Sequence, residues 1–115
     1  MAESTPQDRR VAARTKLRTA LRYQIRGTSD FNNAICDDIS LAGIGFVNDE
    51  FLSPDTLVSL EINVLSKVIC AVGMIAWSFR IPHSERFRTG IRFLEFDSVD
   101  KDYLIDYINM QLDQL

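Results

Sequence analysis

The chain is poor in the groups that enzymes use to move protons or hold metals. Its single histidine, His83, sits in a polar Pro-His-Ser stretch, where a solvated turn residue is expected rather than a general base. The two cysteines, Cys36 and Cys70, have neither zinc-site spacing nor the density of a secreted disulfide framework, so two reduced, buried thiols are expected. No Gly-x-Gly-x-x-Gly or Walker-type loop occurs, and the acids are scattered; catalysis, a metal and a cofactor are therefore not expected. Long apolar runs are missing too. The longest, Cys70 to Trp77, is far too short to span a bilayer, and the opening MAESTPQDRR has no apolar core of signal-peptide length. These features predict a cytoplasmic protein without membrane insertion.

Acid is also missing from one region. No Asp or Glu lies between Asp8 and Asp30, while Arg9, Arg10, Arg14, Lys16, Arg18, Arg22 and Arg26 supply seven of the thirteen basic residues. The net charge is nevertheless -3, which argues against wholesale coating of DNA and leaves a cationic strip on an acidic protein. Such a strip suits an anionic partner, a solvated face or a handle for an acidic protein.

The 115 residues are enough for one domain with its own core. Residues 1–14 carry almost no large apolar side chain and read as a flexible N-terminal arm; residues 15–115 read as the folded part. From Thr15 onward Leu17, Leu21, Tyr23 and Ile25 alternate with Lys16, Arg18, Arg22, Gln24 and Arg26, the pattern of a strand with one wet face. Further strands are predicted over 33–36, 44–47, 58–64, 67–79 and 86–96, with a turn at 38–43 and another at 53–55. The run over 67–79 is apolar on both faces, so Trp77 is expected in the core. Asp97 or Ser98 can cap a helix whose stripe of Leu104, Ile105, Ile108 and Leu112 would dock on the sheet. Six antiparallel strands in so short a chain predict a closed or nearly closed barrel, since closure removes unprotected edges.

Two features remain. The first is Arg10-Val-Ala-Ala-Arg14, preceded by Arg9; the second is Asp38-Ile-Ser40-Leu-Ala-Gly43. Taken alone, Asp38 and Ser40 also suit Asx and Ser turns, and Gly43 a positive φ. Together, and in this order, they resemble the PilZ domain family, whose hallmark is an Arg-x-x-x-Arg pair before the first strand and an (Asp/Asn)-x-Ser-x-x-Gly motif further on. Leu21-Arg22-Tyr23, Gly73-Met-Ile-Ala-Trp77 and Arg88-Thr-Gly90-Ile-Arg-Phe93 resemble other strands of that family. Arg18, Arg22 and Arg26 repeat the four-residue spacing, but they share one strand face, whereas Arg10 and Arg14 precede the strand.

The resemblance implies a six-stranded antiparallel PilZ-type barrel with a C-terminal helix. It also implies a non-enzymatic receptor for cyclic di-GMP, with Arg9, Arg10, Arg14, Asp38, Ser40 and Gly43 as ligand-binding residues. An arginine fork bonds phosphate or the guanine O6/N7 edge and stacks on the base. An ionised Asp38 can accept the guanine N1–H and N2–H or orient an arginine, and the Ser40 hydroxyl can bond nearby. Gly43 would let the ring approach the backbone. Arg9 stands where the family tunes binding of one ligand or a stacked pair. No attached output domain is expected, so the signal would leave through an unidentified downstream protein in motility, biofilm or exopolysaccharide control. A single-stranded nucleic-acid-binding barrel and a ligand-free PilZ-like adapter are the alternatives.

Overall fold

The computed structural model describes residues 13–113. Six strands and one helix follow in order: β1 Thr15–Ile25, β2 Asn32–Ile39, β3 Gly43–Asn48, β4 Leu57–Val64, β5 Lys67–Arg80, β6 Phe87–Phe96 and α1 Ser98–Asp113. All neighbouring strands are antiparallel, and β1 pairs with both β2 and β4, closing a barrel of order β1-β2-β3-β6-β5-β4. The expected barrel and terminal helix are thus present.

Alternation sets which side chains fill the barrel. On β4, Val58, Leu60, Ile62 and Val64 are fully buried while the residues between them are wet or partly so. β1 does the same with Leu21 and Tyr23. Helix α1 contributes Leu104, Tyr107 and Ile108 to the same apolar cluster. Removing such a side chain from water stabilises by roughly 1.5–3 kcal/mol. The Asp97 carbonyl accepts the Lys101 N–H at 2.9 Å, making Asp97 the helix N-cap residue. A further anchor is Asp100, whose carboxylate accepts the Cys70 N–H at 2.9 Å and pairs with Lys67 at 3.4 Å. It favours the positive end of the helix dipole. Among the described residues, no helix is long and apolar enough to cross a membrane.

Three expectations need correction. Cys36 is buried, but Cys70 is exposed, because it lies on the outward side of β5 between buried Ile69 and Ala71. The second strand extends through Ile39, so Asp38 sits in a strand rather than in a turn, and Gly43 already begins β3. Trp77 is 36% exposed on the outer surface instead of in the core.

The last two corrections share a cause. The β2–β3 register slips between Cys36 and Asp38, and the β5–β6 register slips between Ile75 and Trp77. Each bulge inserts one residue and reverses the parity that follows. Asp37 and Asp38 therefore both face outward between buried Cys36 and buried Ile39, and Ala76 and Trp77 do so between buried Ile75 and buried Ser78.

Candidate functional site

Beyond the β2–β3 turn, a groove of about 510 Å³ runs over the outer faces of β3, β6 and β5. Its floor is glycine. Gly45 of β3 and Gly90 of β6 are direct cross-strand partners, and neither can carry a side chain unless a neighbouring side chain moves. A Cβ on Gly45 would come 2.9 Å from Asp38 Oδ1, and one on Gly90 would run into the Trp77 indole. Trp77 thus lies against bare backbone, and its ring stacks on Phe79 with centroids 5.5 Å apart. Arg88 and Arg92, alternating with Thr89 and Ile91 along β6, flank the groove.

The Asp-x-Ser-x-x-Gly segment divides its labour. Ser40 is fully buried. Its hydroxyl accepts the N–H groups of Ala42 and Gly43 at 3.1 and 3.2 Å, while its own N–H donates to the Gly43 carbonyl at 2.9 Å. Ser40 therefore builds the turn with the hydroxyl that the motif suggested for a ligand. Gly43 has no positive φ; its missing side chain is required because a Cβ would strike the Ile91 carbonyl across the β3–β6 pair. Both residues shape the rim, and Gly43 also lines the groove. Of this segment, Asp38 alone presents a charged group to the groove.

Arg14 meets that carboxylate. Its Nε and Nη2 donate to Asp38 Oδ1 at 2.9 and 2.7 Å, and its Nη1 donates to Ser40 Oγ at 3.3 Å. Three of the guanidinium's five N–H donors are engaged, which fixes its plane and leaves a pair uncommitted. The Arg14 side chain remains 45% exposed, so this ion pair contributes little to stability and much to orientation. Arg9 and Arg10 lie outside the described residues. The other arginines at the same spacing behave differently. Arg22 pairs with Glu61 at 2.9 Å and stacks over Phe31 at 4.3 Å, away from the groove, and Arg18 is exposed on β1.

The structure therefore gathers Arg14, Asp38 and Gly43 at one groove, with Ser40 beneath it. Sequence reasoning gave no site role to Trp77, Gly45, Gly90, Arg88 or Arg92. The signal that could have found the glycines and arginines is the alternation of Gly43 with Gly45, and of Arg88, Gly90 and Arg92, on one face of adjoining strands; Trp77 had no such signal.

A family model described as the PilZ domain matches residues 8–110. The chain belongs to the PilZ domain family. No curated protein matches it in sequence. Among solved structures it is similar to the Bacillus subtilis inhibitor of motility MotI/DgrA, with a TM-score of 0.73 and 21% identity, covering 88% of this chain and 50% of that one. It therefore spans about half the length of that neighbour. It is also similar to the PilZ domain of YcgR from Escherichia coli, solved with c-di-GMP, with a TM-score of 0.67, 15% identity and 89% coverage of each chain. A third likeness is to the K. pneumonia MrkH–c-di-GMP complex, with a TM-score of 0.64, 21% identity, and 89% and 51% coverage. At these identities the shared property is the fold. In this PilZ domain the hallmark Asp-x-Ser-x-x-Gly segment forms the groove's rim, and the last arginine of the Arg-x-x-x-Arg pair is docked on it.

Proposed function

We propose that this PilZ domain is a receptor for cyclic di-GMP. The observation that carries the reading is the convergence of Arg14, Asp38 and Trp77 on one glycine-floored groove. These are the group types that a bis-phosphate guanine ring requires. Arg14 supplies N–H donors for phosphate oxygen or the guanine O6/N7 edge. Asp38 supplies an acceptor for guanine N1–H and N2–H; its Oδ2 is the less engaged oxygen, with an ion-pair contact to Arg88 at 3.8 Å. The indole of Trp77 supplies a flat apolar face. Arg10 and Arg9, four and five residues before Arg14, would close over the ligand from the N-terminal arm.

Ordering that arm costs roughly 1–2 kcal/mol of backbone entropy per residue, so ligand contacts are needed to hold it. A re-posed arm gives a downstream protein two states to distinguish; that ordering, with a signalling output through such a partner, completes the proposal. Titration calorimetry with cyclic di-GMP tests it. Wild type is expected to bind and Arg14→Ala to lose most of the affinity, with ligand protecting residues 8–15 from protease. Absence of binding by folded wild type at high micromolar ligand removes the proposal, and unchanged proteolysis removes the arm from it.

A further inference from the structure

Asp37 stands just before the hallmark segment and belongs to neither motif. The bulge in β2 turns it outward beside Asp38, and there it meets Arg88 of β6. The Arg88 Nη2 is in close contact with Asp37 Oδ2, whereas it stands 3.8 Å from Asp38 Oδ2. Arg88 lines the same groove as Arg14, Asp38 and Trp77. Three arginine side chains thus face the groove, and each has a different tie. Arg14 is held by Asp38. Arg88 is held by Asp37. Arg92 contacts the Met74 sulfur at 3.7 Å and, among the described residues, has no carboxylate within ion-pair distance.

From this arrangement we infer that Asp37 restrains affinity for the anionic ligand by holding Arg88 out of reach of its phosphates. The inference rests on the cyclic di-GMP reading of the groove. Asp37 and Arg88 are 22% and 43% exposed in their side chains, so their pair is a modest contact that a phosphate can compete with. Competition still subtracts from binding, because the ion pair must break before the guanidinium can turn to the ligand. Asp38 is the weaker tether, because its Oδ2 stands 3.8 Å from the Arg88 Nη2 and its carboxylate is already held by two bonds from Arg14.

The test is titration calorimetry of the full chain with cyclic di-GMP for wild type, Asp37→Asn, Arg88→Ala, the double variant and Arg14→Ala, each checked for folding by thermal melting. Asp37→Asn is expected to tighten binding about two- to fivefold, and the gain should shrink as salt is raised. Arg88→Ala should weaken binding, and the double variant should match Arg88→Ala, since Asp37 acts through that arginine. If wild type binds in an Arg14-dependent way but Asp37→Asn binds equally or more weakly, the restraint is overturned and the receptor reading stands. The restraint is overturned in the same way if Asp37→Asn tightens binding equally with Arg88 absent. Wild type that binds no cyclic di-GMP overturns both.

Discussion

Two polar clusters lie on opposite sides of the wall formed by β5 and β6, and they solve opposite problems. Outside, Arg14, Asp38 and Arg88 are charged and partly wet, and their partners leave donors and acceptors uncommitted. Inside, directly behind Trp77 and Gly90, Ser78 and Thr89 are neutral and buried. The Thr89 hydroxyl donates to Asn48 Oδ1 at 2.9 Å and meets Ser78 Oγ at 3.2 Å. Asn48 Nδ2 donates to the Tyr23 hydroxyl and to the Glu50 carbonyl, and Tyr23 donates to the Glu50 carboxylate at 2.8 Å. Among the described residues no buried side-chain polar atom lacks a partner. A network saturated in this way holds strands together and has nothing to offer a ligand. The outer cluster is weakly held and open to exchange, which is what the proposed receptor role requires.

The largest effect that could break this contrast is expected at Arg14. Charge-assisted hydrogen bonds contribute roughly 1.5–3 kcal/mol each, so Arg14→Ala should weaken cyclic di-GMP binding by about ten- to a hundredfold. Its melting temperature should move little, because the Arg14 side chain is 45% exposed and its ion pair is screened by solvent. Arg18→Ala should leave binding close to wild type; equal losses at both positions would show that the groove is not the site. On the inner side the expectation reverses. Thr89→Val strands the Asn48 carbonyl in the core and should cost about 1–3 kcal/mol of stability by denaturant unfolding, with affinity retained in the folded fraction.

A smaller effect sharpens the outer half. The Cβ introduced by Gly45→Ala would stand 2.9 Å from Asp38 Oδ1, so the carboxylate must yield by a few tenths of an ångström and its fork with Arg14 must lengthen. Calorimetry should register a loss of about two- to fivefold, less than one whole charge-assisted bond. Unaltered affinity would mean that Asp38 is not held where the ligand needs it.

Much of this was legible in the residues. Strict alternation in β1 and β4 named the inward side chains, and the stripe from Leu104 to Leu112 named the helix face. Arg14, Asp38 and Ser40 were found from their motifs. What failed was parity beyond a bulge. Trp77 shares odd numbering with Ile69, Ala71 and Ile75, so a strand of unbroken period places it in the core. One residue inserted at Ala76 sends it outward. No residue type at 76 or 37 announces the insertion, because a bulge arises from the pairing of two strands and not from one strand's own preferences. The distinct jobs of Ser40 and Gly43 were hidden for a similar reason: the Ile91 carbonyl that makes Gly43 obligatory comes from a strand nearly fifty residues away.

The two thiols repeat the inside–outside comparison on a finer scale. Cys36 has no exposed surface, and burial, followed by the nearby Asp38 and Asp37 charges, pushes its thiol up to about 12. Cys70 is exposed; partial desolvation and the Asp100 and Glu61 carboxylates raise its pKa to a lesser extent. A thiol reagent near pH 8 should therefore label Cys70 alone in the native protein and both cysteines after unfolding. Burial likewise raises Tyr23 to about 12. For both Cys36 and Tyr23 the folded state holds the proton more tightly than the unfolded chain, whose ordinary values are 9.0 and 10.0. Their stabilising contribution is complete below about pH 9 and is lost as pH rises toward about 12. Thermal melts should be flat from neutrality to that point and then fall. Cys36→Ala should make the decline above about pH 9 shallower, leaving the smaller contribution of Cys70 there and that of Tyr23 from about pH 10. If the decline is as steep in the variant as in wild type, Cys36 is not responsible for it. If native Cys36 reacts as fast as Cys70, the interior behind the groove is not closed.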